Sequence, residues 1–141
     1  MSEVFSTLDI VWQHIVRNHD RDPHGIHGPR HWATVERNGL YLAEFTGASP
    51  TLVSLFSLFH DSCRLDDGYD PEHGPRAAEY VFSLRSELSV LVPDDGDFQL
   101  LLEACEGHTH ITHHENPLIG TCWDADRLDL GRVNVELTQF Q

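Results

Sequence analysis

A chain of 141 residues with 40% apolar residues and seven Phe has enough apolar side chains to bury one core without disulfides, which excludes a disordered chain and points to a single domain. Its net charge of −14 opposes binding to a nucleic-acid duplex, since counterion release needs clustered Lys and Arg, and no apolar run reaches the ~18 residues of a spanning helix. Cys63, Cys105 and Cys122 are an odd set without CxxC spacing, and Met1-Ser2-Glu3-Val4 lacks a basic signal-type start, so a soluble cytoplasmic protein with reduced thiols and no membrane partner is expected.

From Phe5 to Val16 the residues Phe5, Leu8, Val11, Trp12, Ile15 and Val16 recur at three- and four-residue steps and predict an amphipathic helix. Asn18 to Arg30 breaks the pattern with Pro23, Gly25, Gly28 and Pro29 and predicts a loop rich in His and Asp. A second helix is expected from Pro29 to about Phe45, with Val35, Leu42 and Phe45 facing inward, until Gly47-Ala48-Ser49-Pro50 ends it. Pro50 starts a third helix so densely apolar that it must be central, and His60 and Asp61 close it.

After the polar turn Leu65 to His73, Gly74 and Pro75 restart a helix carrying Ala77, Ala78, Val81, Leu84 and Leu88. A fifth follows Pro93-Asp94-Asp95-Gly96, with an aspartate available as N-cap and Phe98, Leu101, Leu102 and Cys105 on one side. A loop from Gly107 to Gly120 precedes a short sixth helix, roughly Trp123 to Leu130, and the alternation Val133-Asn134-Val135-Glu136-Leu137 reads as a short strand or an irregular tail. The class is all-α, a single compact domain of about six helices.

The His60-Asp61 doublet carries little weight as a dipeptide, because this composition should give about one such pair by chance, and His19-Asp20 is a second. Position separates them. The first pair ends an apolar helix that aims it inward, whereas His19 and Asp20 lie in a loop rich in Pro and Gly. With His31 in the first turn of the second helix and an aspartate of Trp123-Asp124-Ala125-Asp126-Arg127-Leu128-Asp129, the doublet forms a candidate set of nitrogen and oxygen ligands. The bland alternative is a buried His hydrogen-bonded near a helix terminus.

The order His31, His60-Asp61, then an aspartate, each on its own helix, resembles the HD-domain superfamily of metal-dependent phosphohydrolases. The resemblance runs from His27 to about Val133 and includes His31-x-x-x-Val35, Phe59-His60-Asp61 and Ala125-Asp126-Arg127-Leu128. It implies His31, His60, Asp61 and Asp126 as ligands of a divalent ion (Mn, Fe, Ni, Co, Mg or Zn), with coordination positions left open for water and substrate. Such an ion lowers the pKa of its water while screening phosphate charge. Asp124 and Asp126 point about 200° apart on a helix, so only one can face the metal, and the Ala-Asp-Arg-Leu context favours Asp126.

Independently of that resemblance, His-Gly-Pro-Arg occurs twice at a predicted helix start, as His27 to Arg30 and as His73 to Arg76. Exposed N–H groups at a helix start, with His27, Arg30, His73 and Arg76 around them, read as a phosphate cradle; the alternative is that Gly-Pro merely starts helices well. Arg64 either neutralises a substrate phosphate or pairs with Asp66 or Asp67, and Cys63 reads as a small buried hydrophobe. The resemblance implies for His108 a substrate-facing acid or base, or a ligand to a second metal. His110, His113 and His114 read equally well as an exposed tract that binds metal adventitiously.

The leading functional expectation is hydrolysis of a small phosphorylated substrate, such as a nucleotide, with Asp61 both binding metal and orienting water. A di-iron oxygenase, with His73 and His108 as extra ligands, and a non-catalytic metal-stabilised sensing module are the alternatives. The chain stops 15 residues after Asp126, which leaves open a minimal member of that superfamily, a truncated wall, or a homo-oligomer that covers the exposed surface.

Overall fold

The middle of the protein is a ten-residue helix, α3 (Pro50–Phe59), whose side chains from Leu52 to Phe59 are all buried. Burying a Leu, Val or Phe contributes about 1.5–3 kcal/mol, so this one helix anchors the core. Around it stand α1 (Glu3–Asn18), α2 (Pro29–Thr46), α4 (His73–Ser83), α5 (Asp95–Gly107) and α6 (Pro117–Thr138). The computed structural model describes residues 3–18, 27–65, 70–109, 111 and 113–138. Among these the fold is all-helical, and no helix is long and apolar enough to cross a membrane.

Local chemistry sets the helix ends. Gly47 sits at φ 78°, a left-handed conformation that suits glycine, and its N–H closes α2 on the Ala43 carbonyl at 3.0 Å. Two residues later the Ser49 hydroxyl accepts from Leu52 N–H at 3.3 Å and opens α3. Asp94 caps α5 in the same way, accepting from Asp97 N–H at 2.9 Å. Helix α2 packs on both α3 and α6, and α4 packs on α5. The α2 approach is close at Gly39, where an added Cβ would lie 2.5 Å from Val53 Cγ1 and 3.5 Å from the Ala125 methyl.

Four expectations need correction. Helix α6 starts at Pro117 rather than near Trp123, because the Asn116 side chain accepts from Leu118 and Ile119 N–H (2.9 and 3.3 Å) and caps it inside a tract that reads as loop. It continues to Thr138, so Val133 to Leu137 is helix and neither strand nor tail. Phe45, expected to face inward, is 73% exposed, and its ring packs edge-on against that of Tyr41. Leu88, assigned to the fourth helix, is buried but lies in the turns after α4 ends at Ser83.

Candidate metal centre

Past Phe59 the backbone of α3 tightens: His60 N–H still reaches Phe56 O at 2.9 Å, but Ser62 N–H turns back to Phe59 O at 3.0 Å. Within this tightened end His60 and Asp61 are both buried and point to one place, with His60 Nε2 3.3 Å from Asp61 Oδ2. His31 comes from the first turn of α2 and Asp126 from α6. His31 Nε2 lies 3.3 Å from His60 Nε2, 3.0 Å from Asp126 Oδ1 and 3.3 Å from Asp61 Oδ2, and His60 Nε2 lies 3.5 Å from Asp126 Oδ1.

The other oxygen of Asp61 faces a second group. His73 Nε2 is 3.0 Å and His108 Nε2 3.4 Å from Asp61 Oδ1, and the two imidazole nitrogens are 2.9 Å apart. His31, His60, Asp61 and Asp126 thus form one candidate ligand group, and Asp61, His73 and His108 form another. Asp61 belongs to both.

Proton placement shows what these nitrogens offer. His60 Nδ1 bonds to the Phe56 and Ser57 carbonyls at 3.1 and 3.0 Å, His73 Nδ1 to the Asp70 carbonyl, and His108 Nδ1 to the Cys105 carbonyl at 2.7 Å. His31 Nδ1 bonds to Asp129 Oδ2 at 2.7 Å. Carbonyls and carboxylates only accept, so each Nδ1 carries the proton and each Nε2 presents its lone pair to the cluster. Facing lone pairs repel unless a proton or a cation lies between them. Two ligands each about 2.05 Å from a zinc-like ion stand roughly 2.9 Å apart at a right angle and roughly 3.4 Å apart at the tetrahedral angle, which matches the spacings of both groups. The donor set, imidazole nitrogens with carboxylate oxygens, suits a divalent first-row ion.

Electrostatics agree. Burial is the largest single influence on His31 and disfavours its charged form, yet hydrogen bonds to Asp126 and Asp61 and their charges outweigh it and raise the pKa to about 10. His60 is likewise raised to about 9, against its burial, by the charges of Asp61 and Asp126. Burial works against Asp61 and Asp126 too, but the charge of His60 and hydrogen bonds from neighbouring imidazoles hold both well below the usual carboxylate range. Without a metal, protons on the imidazoles fill the cationic role. His108 differs: burial and the His60 charge lower its pKa despite the hydrogen bond to Asp61, which leaves a neutral ring ready to ligate.

A cavity of about 190 Å³ opens on the shared carboxylate, lined by His27, Asp61, Arg64, His73, His108, Thr109 and Asp126. Both histidines of the repeated tetrapeptide meet here, since His27 Nδ1 lies 3.3 Å from Asp61 Oδ2. Arg64 Nε donates to Asp61 Oδ1 at 3.3 Å; its expected partners Asp66 and Asp67 lie outside the described residues.

The arginines of the repeat behave otherwise. Arg76 donates to both Asp70 oxygens at 2.7 Å and to the Cys63 carbonyl at 3.0 Å, while Arg30 is exposed, and neither lines the cavity. The two copies also differ in register. Gly28 caps α2 from outside, whereas His73 is the first residue of α4 and Gly74 the second. An added Cβ at Gly74 would lie 2.7 Å from the Glu106 carbonyl oxygen and 2.9 Å from that of Cys105, so the glycine is what lets α4 approach α5 and bring His73 to His108.

Asp124 is exposed and pairs with Arg127, which leaves Asp126 as the inward aspartate. His114 bonds Glu103 at 2.9 Å away from the cluster, His113 is exposed, and His19, Asp20 and His110 lie outside the described residues. Cys63 is half-buried, with its thiol pushed up mainly by burial. Sequence reasoning gave no role to Asp129, Asp70 or Thr109. Asp129 alone left a trace, its three-residue spacing from Asp126. Compared with protein-family models, curated proteins and solved structures, the chain matches none.

Proposed function

We propose that the protein is a metal-dependent phosphohydrolase of the HD-domain kind, acting on a small phosphorylated substrate. The observation that carries this reading is the shared carboxylate: Asp61 joins two ligand groups at the floor of a cavity that Arg64 also lines. When bound, divalent ions there supply Lewis-acid chemistry, neutralising phosphoryl oxygens and lowering the pKa of water.

The chain's own residues do the rest. His31, His60, Asp61 and Asp126 hold the first ion; Asp61, His73 and His108 hold a second, and this ligand role for His108 is better supported than a substrate-facing acid or base. Arg64 adds a fixed positive charge beside the phosphate position. His27, with Nδ1 3.3 Å from Asp61 Oδ2, also lines the cavity, where its other ring nitrogen is placed to hydrogen-bond a substrate. The cavity suits a phosphoryl head group, with the remainder of a nucleotide outside it.

The test is direct. Protein loaded with Mn, Ni, Co or Mg should release phosphate from some member of a panel of nucleotides and generic phosphoesters, and silence across the panel with every ion would sink the proposal. The second ligand group also favours a di-iron oxygenase as the alternative reading. Oxygen consumption by the iron-loaded protein, without phosphate release, would select it. A metal-stabilised sensing module would melt lower on chelation and show neither activity.

A further inference from the structure

We infer that Asp129 is a positioning residue for the metal centre, holding His31 by its Nδ1–H so that Nε2 is presented to the ion. This rests on reading His31, His60, Asp61 and Asp126 as metal ligands. His60, His73 and His108 each anchor Nδ1 on a main-chain carbonyl three residues back, Ser57, Asp70 and Cys105 respectively. His31 does not, because its Nδ1 faces another helix instead. Its carbonyl three residues back, Gly28 O, accepts from Trp32 N–H at 3.1 Å, and the one before, His27 O, accepts from the Trp32 indole at 2.9 Å.

The fourth imidazole is held from another helix. Asp129 Oδ2 lies 2.7 Å from His31 Nδ1, while Asp126 Oδ1 lies 3.0 Å from Nε2 of the same ring. Both carboxylates are buried and sit one turn apart on α6, so that helix grips the ring at both nitrogens. A carboxylate in place of a neutral carbonyl also makes His31 the more basic donor to an ion.

The experiment uses full-length Asp129→Ala and Asp129→Asn with zinc as the probe. Affinity is read by competition with a chelating dye, and the His31 ring nitrogens by ¹⁵N NMR of the zinc-loaded protein. Asp129→Ala should weaken zinc binding about 10- to 100-fold and lose the pattern of protonated Nδ1 with zinc on Nε2. Asp129→Asn, which still accepts the hydrogen bond, should keep that pattern and lose less affinity. Wild-type affinity in Asp129→Ala, or a weakened affinity with an unchanged His31 signature, would overturn the inference. If Asp129→Ala does not fold by circular dichroism, a scrambled His31 pattern in folded Asp129→Asn would overturn it and a retained pattern with reduced affinity would support it. A wild-type protein that binds no zinc would overturn this inference together with the metal centre. Zinc binding without phosphate release would count against the hydrolase alone, because neither readout involves turnover.

Discussion

One carboxylate, Asp61, meets His27, His31 and His60 through Oδ2 and His73, His108 and Arg64 through Oδ1. Asp61→Asn removes the charge common to both ligand groups, so metal content per chain and phosphate release should both collapse, by more than the roughly 10- to 100-fold typical of losing an outer partner. Asp124→Asn, on the exposed side of the same α6 turn, should leave both within about twofold of wild type; elemental analysis and phosphate assay check the pair. The imidazoles predict a pH dependence of the metal-free protein. His31 and His60 are raised in the folded state to about 10 and about 9, so their contribution to stability is full below about pH 6.5 and is lost as pH rises through those values. Thermal melting of the chelated protein should therefore fall by several degrees between about pH 7 and about pH 10, while the metal-loaded protein, whose Nε2 atoms hold no protons to lose, should not share that fall; matching slopes would count against the cluster as described. At this scale the inward aspartate was legible, because helical geometry forces a choice between Asp124 and Asp126. Asp129 was not, since its partner His31 lies on another helix 98 residues away along the chain.

Among the elements, α4 and α5 bring the second ligand group together, and Gly74 is the contact that permits it. Gly74→Ala should push α4 off the Glu106 and Cys105 carbonyls, cost about 1–3 kcal/mol of stability, and separate His73 from His108. The specific expectation is loss of the weaker metal equivalent with the His31 group intact, measured as stoichiometry by titration; unchanged stoichiometry would separate the glycine from the site. The central helix was legible from apolar density alone, and the starts at Pro29 and Pro50 from proline and its caps. The last helix was not. Its start hides in a polar tract where one Asn116 side chain does the capping, and its end alternates as a strand does while Leu130, Val133 and Leu137 also recur at helical steps.

For the whole molecule, the candidate metal centre and its cavity sit on a chain of net charge −14. On the proposed function, that field would repel a phosphorylated substrate at long range even though bound metal ions would attract it locally. Screening should relieve the repulsion, so kcat/KM for an anionic substrate is expected to rise severalfold as ionic strength goes from about 0.01 M to about 0.15 M, where the Debye length falls from about 30 Å to about 8 Å. A monotonic fall over that range would mean that the local positive charge dominates the approach. Composition made the acidity legible, but the candidate metal centre within it needed the folded chain, because His31, His60, Asp61 and Asp126 are gathered from separate helices.

The repeated tetrapeptide ends as two different pieces of chemistry. Identical letters enter their helices two residues out of step, and the outcome is that His27 turns Nδ1 toward Asp61 while His73 turns Nε2. The first histidine meets the carboxylate through its inner nitrogen and the second through its outer one. Substituting one for the other in thought is therefore an error that the text of the sequence invites: the duplication records how two helices start, and the register alone decides which atom each start delivers.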